Sequence, residues 1–192
     1  MSGTPDLTAA LRALIATDPA RMRVLGLARE LGLPDCWVAA GFVRSSVWDH
    51  LHGRPPLLAA GAADVDVIWH DPDDALPARD AALEAALRGR DGTLAWSVKN
   101  QARMHTRNGD APYASATDAM RHWPETATAV GVRLARDGTI DVAAPFGLDD
   151  LFGLVVRPTP RFAADKYPLV LERLRTKDWQ AAWPRLAFAA RG

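Results

Sequence analysis

The chain has 192 residues, with 23 basic and 23 acidic side chains and no net charge at neutral pH. That length fits one domain with a sizeable core, and the balanced charge excludes a global field for a long polyanion, leaving a small charged substrate in a local cleft. The one cysteine, Cys36, excludes an internal disulfide and a cysteine-rich metal site; no apolar run is long enough to span a bilayer and no signal-peptide pattern opens the chain, so a cytoplasmic protein without a membrane partner is expected.

Residues 6–32 read as one or two helices, because Leu7, Leu11, Leu14 and Ile15, then Met22, Leu25, Leu27 and Leu31, recur at helical spacing. Asp18-Pro19 marks a break and restart, since the residue before proline avoids the helical region. Cys36 to Ala40 is a short buried strand ended by Gly41, and Val43 to Leu51 is a helix closed by Gly53 and Pro55-Pro56. Leu57 to Ala63 reads as a loop, and Ala63 to Trp69 as the second strand, ended by His70-Asp71-Pro72. Residues 76–88 form an alanine-rich amphipathic helix, and Thr93 to Val98 a third strand.

Ser115 with Asp118 is a helix-starting arrangement leading through Met120 towards Trp123-Pro124. Val130 to Ala135 and Thr139 to Ala143 flank Asp137-Gly138, a two-residue hairpin signal. Gly147 to Phe152 is a short helical turn before Val155-Val156, Pro158 and Pro160 mark a linker, and the chain from Tyr167 to Leu186 is helical in part. The alternation predicts an α+β fold: a mixed β-sheet flanked by helices in a single domain over 1–192, with an N-terminal helical extension (1–33) and a C-terminal helical tail (161–192).

Asp64 and Asp66 carry the sharpest chemical signal. Side chains two apart on a strand leave the same face, about 6–7 Å apart at the backbone. Two anions so placed repel, and a divalent cation such as Mg2+, which accepts one or two carboxylates plus water and phosphate oxygens, removes the repulsion. The alternative is a pair of acids on the solvated face of an edge strand. Upstream, a strand–glycine–helix junction at 36–51 offers free amides and a positive dipole end to a phosphate, with Arg44 on the first helical turn adding a guanidinium. Its alternative is a tight turn at Gly41 with Arg44 paired to a surface acid.

In Lys99-Asn100-Gln101-Ala102-Arg103-Met104-His105, Lys99 is placed to meet a phosphate, Asn100 to read a base or ribose edge, and His105 to contact an acceptor; a solvated helix start is the competing reading. Of the seven tryptophans, Trp69, Trp96 and Trp123 border polar runs where a base could stack, although most tryptophans should be core. Trp123-Pro124 and Trp183-Pro184 read as core wedges rather than stacking platforms, and Lys177 and Trp179 as part of a surface helix, the alternative being a tail folded back over a cleft. His50, His52, His70 and His122 lack ligand spacing, which argues against zinc.

Ala40-Gly41-Phe42-Val43-Arg44, then Asp49 and Leu51, Gly53-Arg54 and Asp64-Val65-Asp66, resemble the head motif of the polymerase-beta-type nucleotidyltransferase superfamily, in its tRNA CCA-adding form of Gly-Gly-x-Val-Arg-Asp followed by Asp-x-Asp. Residues 96–105, Trp123-Pro124-Glu125-Thr126-Ala127 and Pro145-Phe146-Gly147-Leu148-Asp149-Asp150-Leu151 resemble a bacterial family of small, stand-alone nucleotidyltransferase-like proteins. The resemblance implies transfer of a nucleoside monophosphate from a nucleoside triphosphate to an acceptor group, with release of pyrophosphate; a hydroxyl of a small molecule or protein is the expected acceptor, and the neutral charge and short length disfavour nucleic acid. It implies Mg2+ on Asp64 and Asp66, and nucleotide binding by Gly41, Phe42, Arg44, Ser45, Lys99 and Asn100. Two departures stand out. Ala40 replaces the first glycine, a mild change if Gly41 keeps the close approach. Ser97 stands where a third acid is expected, with Asp141 the candidate substitute and Glu125, Asp149 and Asp150 weaker ones. An impaired nucleotide-binding or protein-interaction module of the same fold is the alternative outcome.

Overall fold

Aspartates start the first two helices. In the computed structural model, which describes residues 6–55, 58 and 64–189, the Asp6 carboxylate accepts the amides of Thr8 and Ala9 at 3.0 Å and opens α1 (Leu7–Ala16). Asp18 does the same for α2 (Pro19–Glu30), with Pro19 at the first position, where a missing N–H costs nothing. Leu11, Ile15, Val24 and Leu25 from these helices are at most 1% exposed and belong to the main core. Each such side chain contributes about 1.5–3 kcal/mol.

The chain continues through β1 (Trp37–Ala39), α3 (Gly41–Leu51), β2 (Val65–Trp69), α4 (Pro77–Arg90) and β3 (Trp96–Asn100). After a 3-10 turn at Gln101–Arg103 come α5 (Met104–Asn108), α6 (Ala116–Met120), β4 (Gly131–Leu134), β5 (Ile140–Ala143) and α7 (Asp149–Phe152). The last elements are β6 (Val155–Val156), α8 (Tyr167–Lys177), α9 (Trp179–Ala182) and β7 (Ala187–Phe188). The expected mixed sheet is present: five strands in the order β3-β2-β1-β4-β5, with β2 and β3 parallel and the other neighbours antiparallel. A small parallel pair of β6 and β7, absent from the sequence reading, ties the end of the tail to Val155-Val156.

Strand alternation gives the sheet two unlike faces. Val38, Val65, Val67, Trp69, Trp96, Val98 and Val132 join the main core with residues of α1 to α4. Trp37, Ala39, Ile68 and Ala143 meet a smaller cluster with Ala116 and Met120 of α6 and with Ala129. Asp66 belongs to this second face, in a row across the strands: Ser97, Asp66, Ala39, Gly131, Ala143. Small residues thus flank the acid on one side and a serine on the other. Gly131 must stay small there, because a Cβ would sit 2.8 Å from the Met120 methyl carbon and 3.3 Å from the Trp37 Cβ.

Several boundaries differ from those the sequence suggests: the second strand begins at Val65, so Asp64 stands just before it rather than on it. The third strand begins at Trp96, because Asp91 accepts the Thr93 amide at 3.0 Å and turns the chain first. It runs on through Lys99 and Asn100, so those residues are on the strand rather than beyond its end. The helix after β1 begins at Gly41 rather than Val43. The loop expected over 57–63 lies, apart from Leu58, outside the described residues.

Candidate functional site

The junction of β1 and α3 turns on Ala40, whose φ of 54° and ψ of −122° are those of the first central residue in a type II′ turn, a glycine position. The Ala40 carbonyl accepts the amides of Val43 at 3.1 Å and Arg44 at 2.9 Å. No hydrogen bond among the described residues uses the Gly41 or Phe42 amide, so the first-turn donors of α3 are free, as helix starts leave them. The strained residue is therefore Ala40, and the alanine is not the mild replacement that the sequence suggested. Gly41 has an ordinary helical backbone, with the Arg44 Nη2 3.6 Å from where a Cβ would stand. The Phe42 side chain is core, 2% exposed, so only its backbone faces this junction.

Beside that helix start opens a cavity of about 330 Å³. Ala40, Gly41, Arg44 and Ser45 form one wall, and Asp64 and Asp66 another. Asp64 is exposed and Asp66 half-buried. Burial, then the charge of Asp64, raises the Asp66 carboxyl above its ordinary value; a hydrogen bond from Ser97 and the charges of Arg44 and Arg173 pull the other way. Among the described residues no cluster of three His, Cys, Asp or Glu side chains could hold a metal ion.

The third wall comes from the tail, so Lys177 and Trp179 follow the alternative of a tail folded back over a cleft rather than that of a surface helix. Arg173, Lys177, Trp179, Ala182 and Trp183 all line the cavity. Tryptophan packing explains the docking: Trp48 of α3 meets the rings of Trp179 and Trp183 edge-on, at 5.6 and 5.1 Å between centroids. The Trp183 indole N–H donates to Asp49 at 2.8 Å, and the Arg185 guanidinium to the Leu51 carbonyl at 2.7 Å. Arg44, 7% exposed, packs on Trp48 and Trp179 and donates to the Thr128 hydroxyl at 3.0 Å, while its Nε has no partner among the described residues. Burial pushes the Arg44 pKa down to about 10, against the upward pull of Glu125.

Other predicted residues are not brought together here. Asn100 is fully buried, and both ends of its amide are used: it donates to the carbonyls of Asp71 and Asp74 and accepts from the amides of Asp71 and Ala102. It clamps a turn and has nothing left for a base. Lys99 stands on the edge strand 3.5 Å from the Glu84 carboxylate and lines no part of the cavity. Asp141 lies on β5, three strand spacings from β2, on the order of 14 Å, and accepts from Arg133 at 2.9 Å. It cannot share an ion with Asp66. Asp150 is held by Arg157 and Thr126, and Glu125 by Arg173. The Trp69 and Trp96 rings are core, with indole N–H groups bound to Asp80 and to the Asp91 carbonyl, so neither offers a stacking face.

The model of a family described as nucleotidyltransferase matches residues 26–188. The chain belongs to this nucleotidyltransferase family. An NMR structure described as a CCA-adding enzyme head domain is similar to this nucleotidyltransferase at a TM-score of 0.84 and 37% identity, covering 95% of each chain. The Thermotoga maritima CCA-adding enzyme complexed with tRNA shares the fold at a TM-score of 0.56 and 18% identity. The Bacillus stearothermophilus CCA-adding enzyme in complex with CTP does so at 0.53 and 18%. The chain spans 42% of the length of each of those two enzymes. No curated protein matches the chain. The expected polymerase-beta-type fold is thereby confirmed.

Proposed function

We propose that this nucleotidyltransferase moves a nucleoside monophosphate from a nucleoside triphosphate to a hydroxyl group of a small molecule or protein, with Mg2+ as cofactor. One observation carries the reading: the free amides of the α3 start and the Asp64/Asp66 pair open on the same cavity. Amides at a helix start bind phosphate oxygens, and Arg44 adds charge beside them. Asp64 and Asp66 fit Mg2+, which accepts two carboxylates and completes its shell with water and phosphate oxygens. When bound, such an ion neutralises charge on the transferring phosphorus and lowers the pKa of an attacking hydroxyl. The chain's own residues orient the triphosphate in line with the acceptor and hold positive charge against its leaving end.

Converting Asp64 and Asp66 together to asparagine should lower transfer of labelled nucleotide by about 10²–10³-fold while the protein stays folded. Transfer that falls by less than about tenfold on the double change, or that proceeds unchanged in excess chelator, ends this mechanism.

A second reading is favoured by Ser97, which takes the register position beside Asp66 where a third acid would stand. It makes the chain a binding module that holds nucleotide without transferring it. Melting with each of the four nucleoside triphosphates, with and without Mg2+, separates the two. Ligand at a hundred times its dissociation constant stabilises by about 2.7 kcal/mol. A melting shift with no pyrophosphate released supports the module, and pyrophosphate release supports the enzyme.

A further inference from the structure

Resting on the nucleotidyltransferase reading, we propose that Arg173 of the tail is a second arginine for the triphosphate of the nucleotide, set in place by the buried carboxylate of Glu125. The Arg173 Nε donates to Glu125 Oε1 at 2.7 Å. Its side chain is 33% exposed and lines the cavity that Arg44, Asp64 and Asp66 line. The two terminal nitrogens of Arg173 make no hydrogen bond among the described residues, so the fork that matches phosphate oxygens is unspent.

Glu125 is fully buried, and its Oε2 has no hydrogen-bond partner among the described residues. A buried ion pair adds little net stability compared with apolar residues of similar volume, so stability alone does not account for it. The group is also unbalanced. Arg173 is paired with that carboxylate, Arg44 feels its charge without an ion pair to it, and both guanidiniums pack on the Trp179 ring, Arg44 at 4.3 and Arg173 at 5.4 Å from its centroid. That ring fixes the spacing of one cation from α3 and one from α8. Lys177, one helical turn beyond Arg173, adds a third positive charge to the same cavity. The lining thus carries three cations against two acids, and an ion held by the acids turns the balance strongly towards a polyanion.

The test is calorimetric titration of the full chain with magnesium tripolyphosphate, which has the charge of a nucleotide's tail and no base. Arg173→Gln should weaken binding by about 10- to 100-fold, the weight of a charge-assisted contact. Arg175→Gln, an equal charge change at an exposed residue paired with Glu172, should stay within about twofold of the parent. Arg173→Lys keeps the charge without the fork and should recover only part of the loss; Glu125→Gln should weaken binding as well and lower the melting temperature of the ligand-free protein, because it strands one partner of the pair. Equal effects of Arg173→Gln and Arg175→Gln overturn the proposal, and so does full affinity in Arg173→Lys should the glutamine variant fail to fold. If those results come with binding abolished by the Asp64→Asn, Asp66→Asn double change, the nucleotidyltransferase reading stands and only the role of Arg173 falls. A parent protein that binds no tripolyphosphate overturns both.

Discussion

Ala40 holds a conformation that costs an L-residue about 1–3 kcal/mol. Ala40→Gly removes that strain and gives back roughly 0.5–1 kcal/mol in chain entropy. The expected outcome is a net gain of about 1 kcal/mol, seen as a melting temperature roughly 2–4 °C higher. A lower melting temperature would show that the turn is not under strain. Asp66 carries a pH signature of its own. Its folded pKa stands above the ordinary 3.8, so the folded protein holds that proton more tightly than the unfolded chain does. Stability from this group is complete below 3.8 and is lost as pH rises through the elevated folded value. In chelator at neutral pH, Asp66→Asn should therefore melt higher than the parent, and the difference should close below the ordinary carboxylate value. A neutral-pH melting temperature that falls on this substitution would contradict the assigned cause.

At the scale of elements, the tail is a wall of the site because three tryptophans lock it to α3. Trp179→Ala removes a ring that is 4% exposed and supports both Arg44 and Arg173. The expected cost is about 3–5 kcal/mol, read by denaturant unfolding, with faster tryptic cleavage at Arg175 and Lys177 as the tail loosens. Unchanged cleavage and stability would mean that the tail is held by β6 and β7 instead. The sequence made part of this arrangement legible. Asp64 and Asp66 alternate with buried Val65 and Val67, a pattern of period two, and Gly41 follows an apolar run, so the strand, the turn and the acid pair could be read locally. Arg173, Thr128 and Glu125 could not. Their roles depend on contacts between residues that lie 48 and 84 positions apart in the chain, and the local hint was Trp179 and Trp183 one helical turn apart. Asp141 misled for the same reason. Nothing in a hairpin's own residues tells which strand its partner will join, and β1 stands between it and β2.

For the whole molecule, the deciding quantity is where the charge sits. Proteins that hold nucleic acid spread basic residues over a broad surface, and each phosphate neutralised adds salt-sensitive affinity. Here 23 basic residues meet 23 acidic ones, and many arginines are already paired, as Arg23 is with Asp91, Arg133 with Asp141, Arg157 with Asp150 and Arg161 with Asp110. Three cationic groups, Arg44, Arg173 and Lys177, line one cavity of about 330 Å³, a space suited to a nucleotide rather than a duplex. A CCA-adding enzyme of the same fold is complexed with tRNA, and the chain corresponds to 42% of its length. Filter binding with tRNA at physiological salt should accordingly give a dissociation constant no tighter than the non-specific range of about 10⁻⁴–10⁻⁶ M. Magnesium tripolyphosphate should not be displaced by tRNA at equal phosphate concentration. Nanomolar tRNA binding would place the acceptor among nucleic acids and move the reading from a small molecule or protein to RNA.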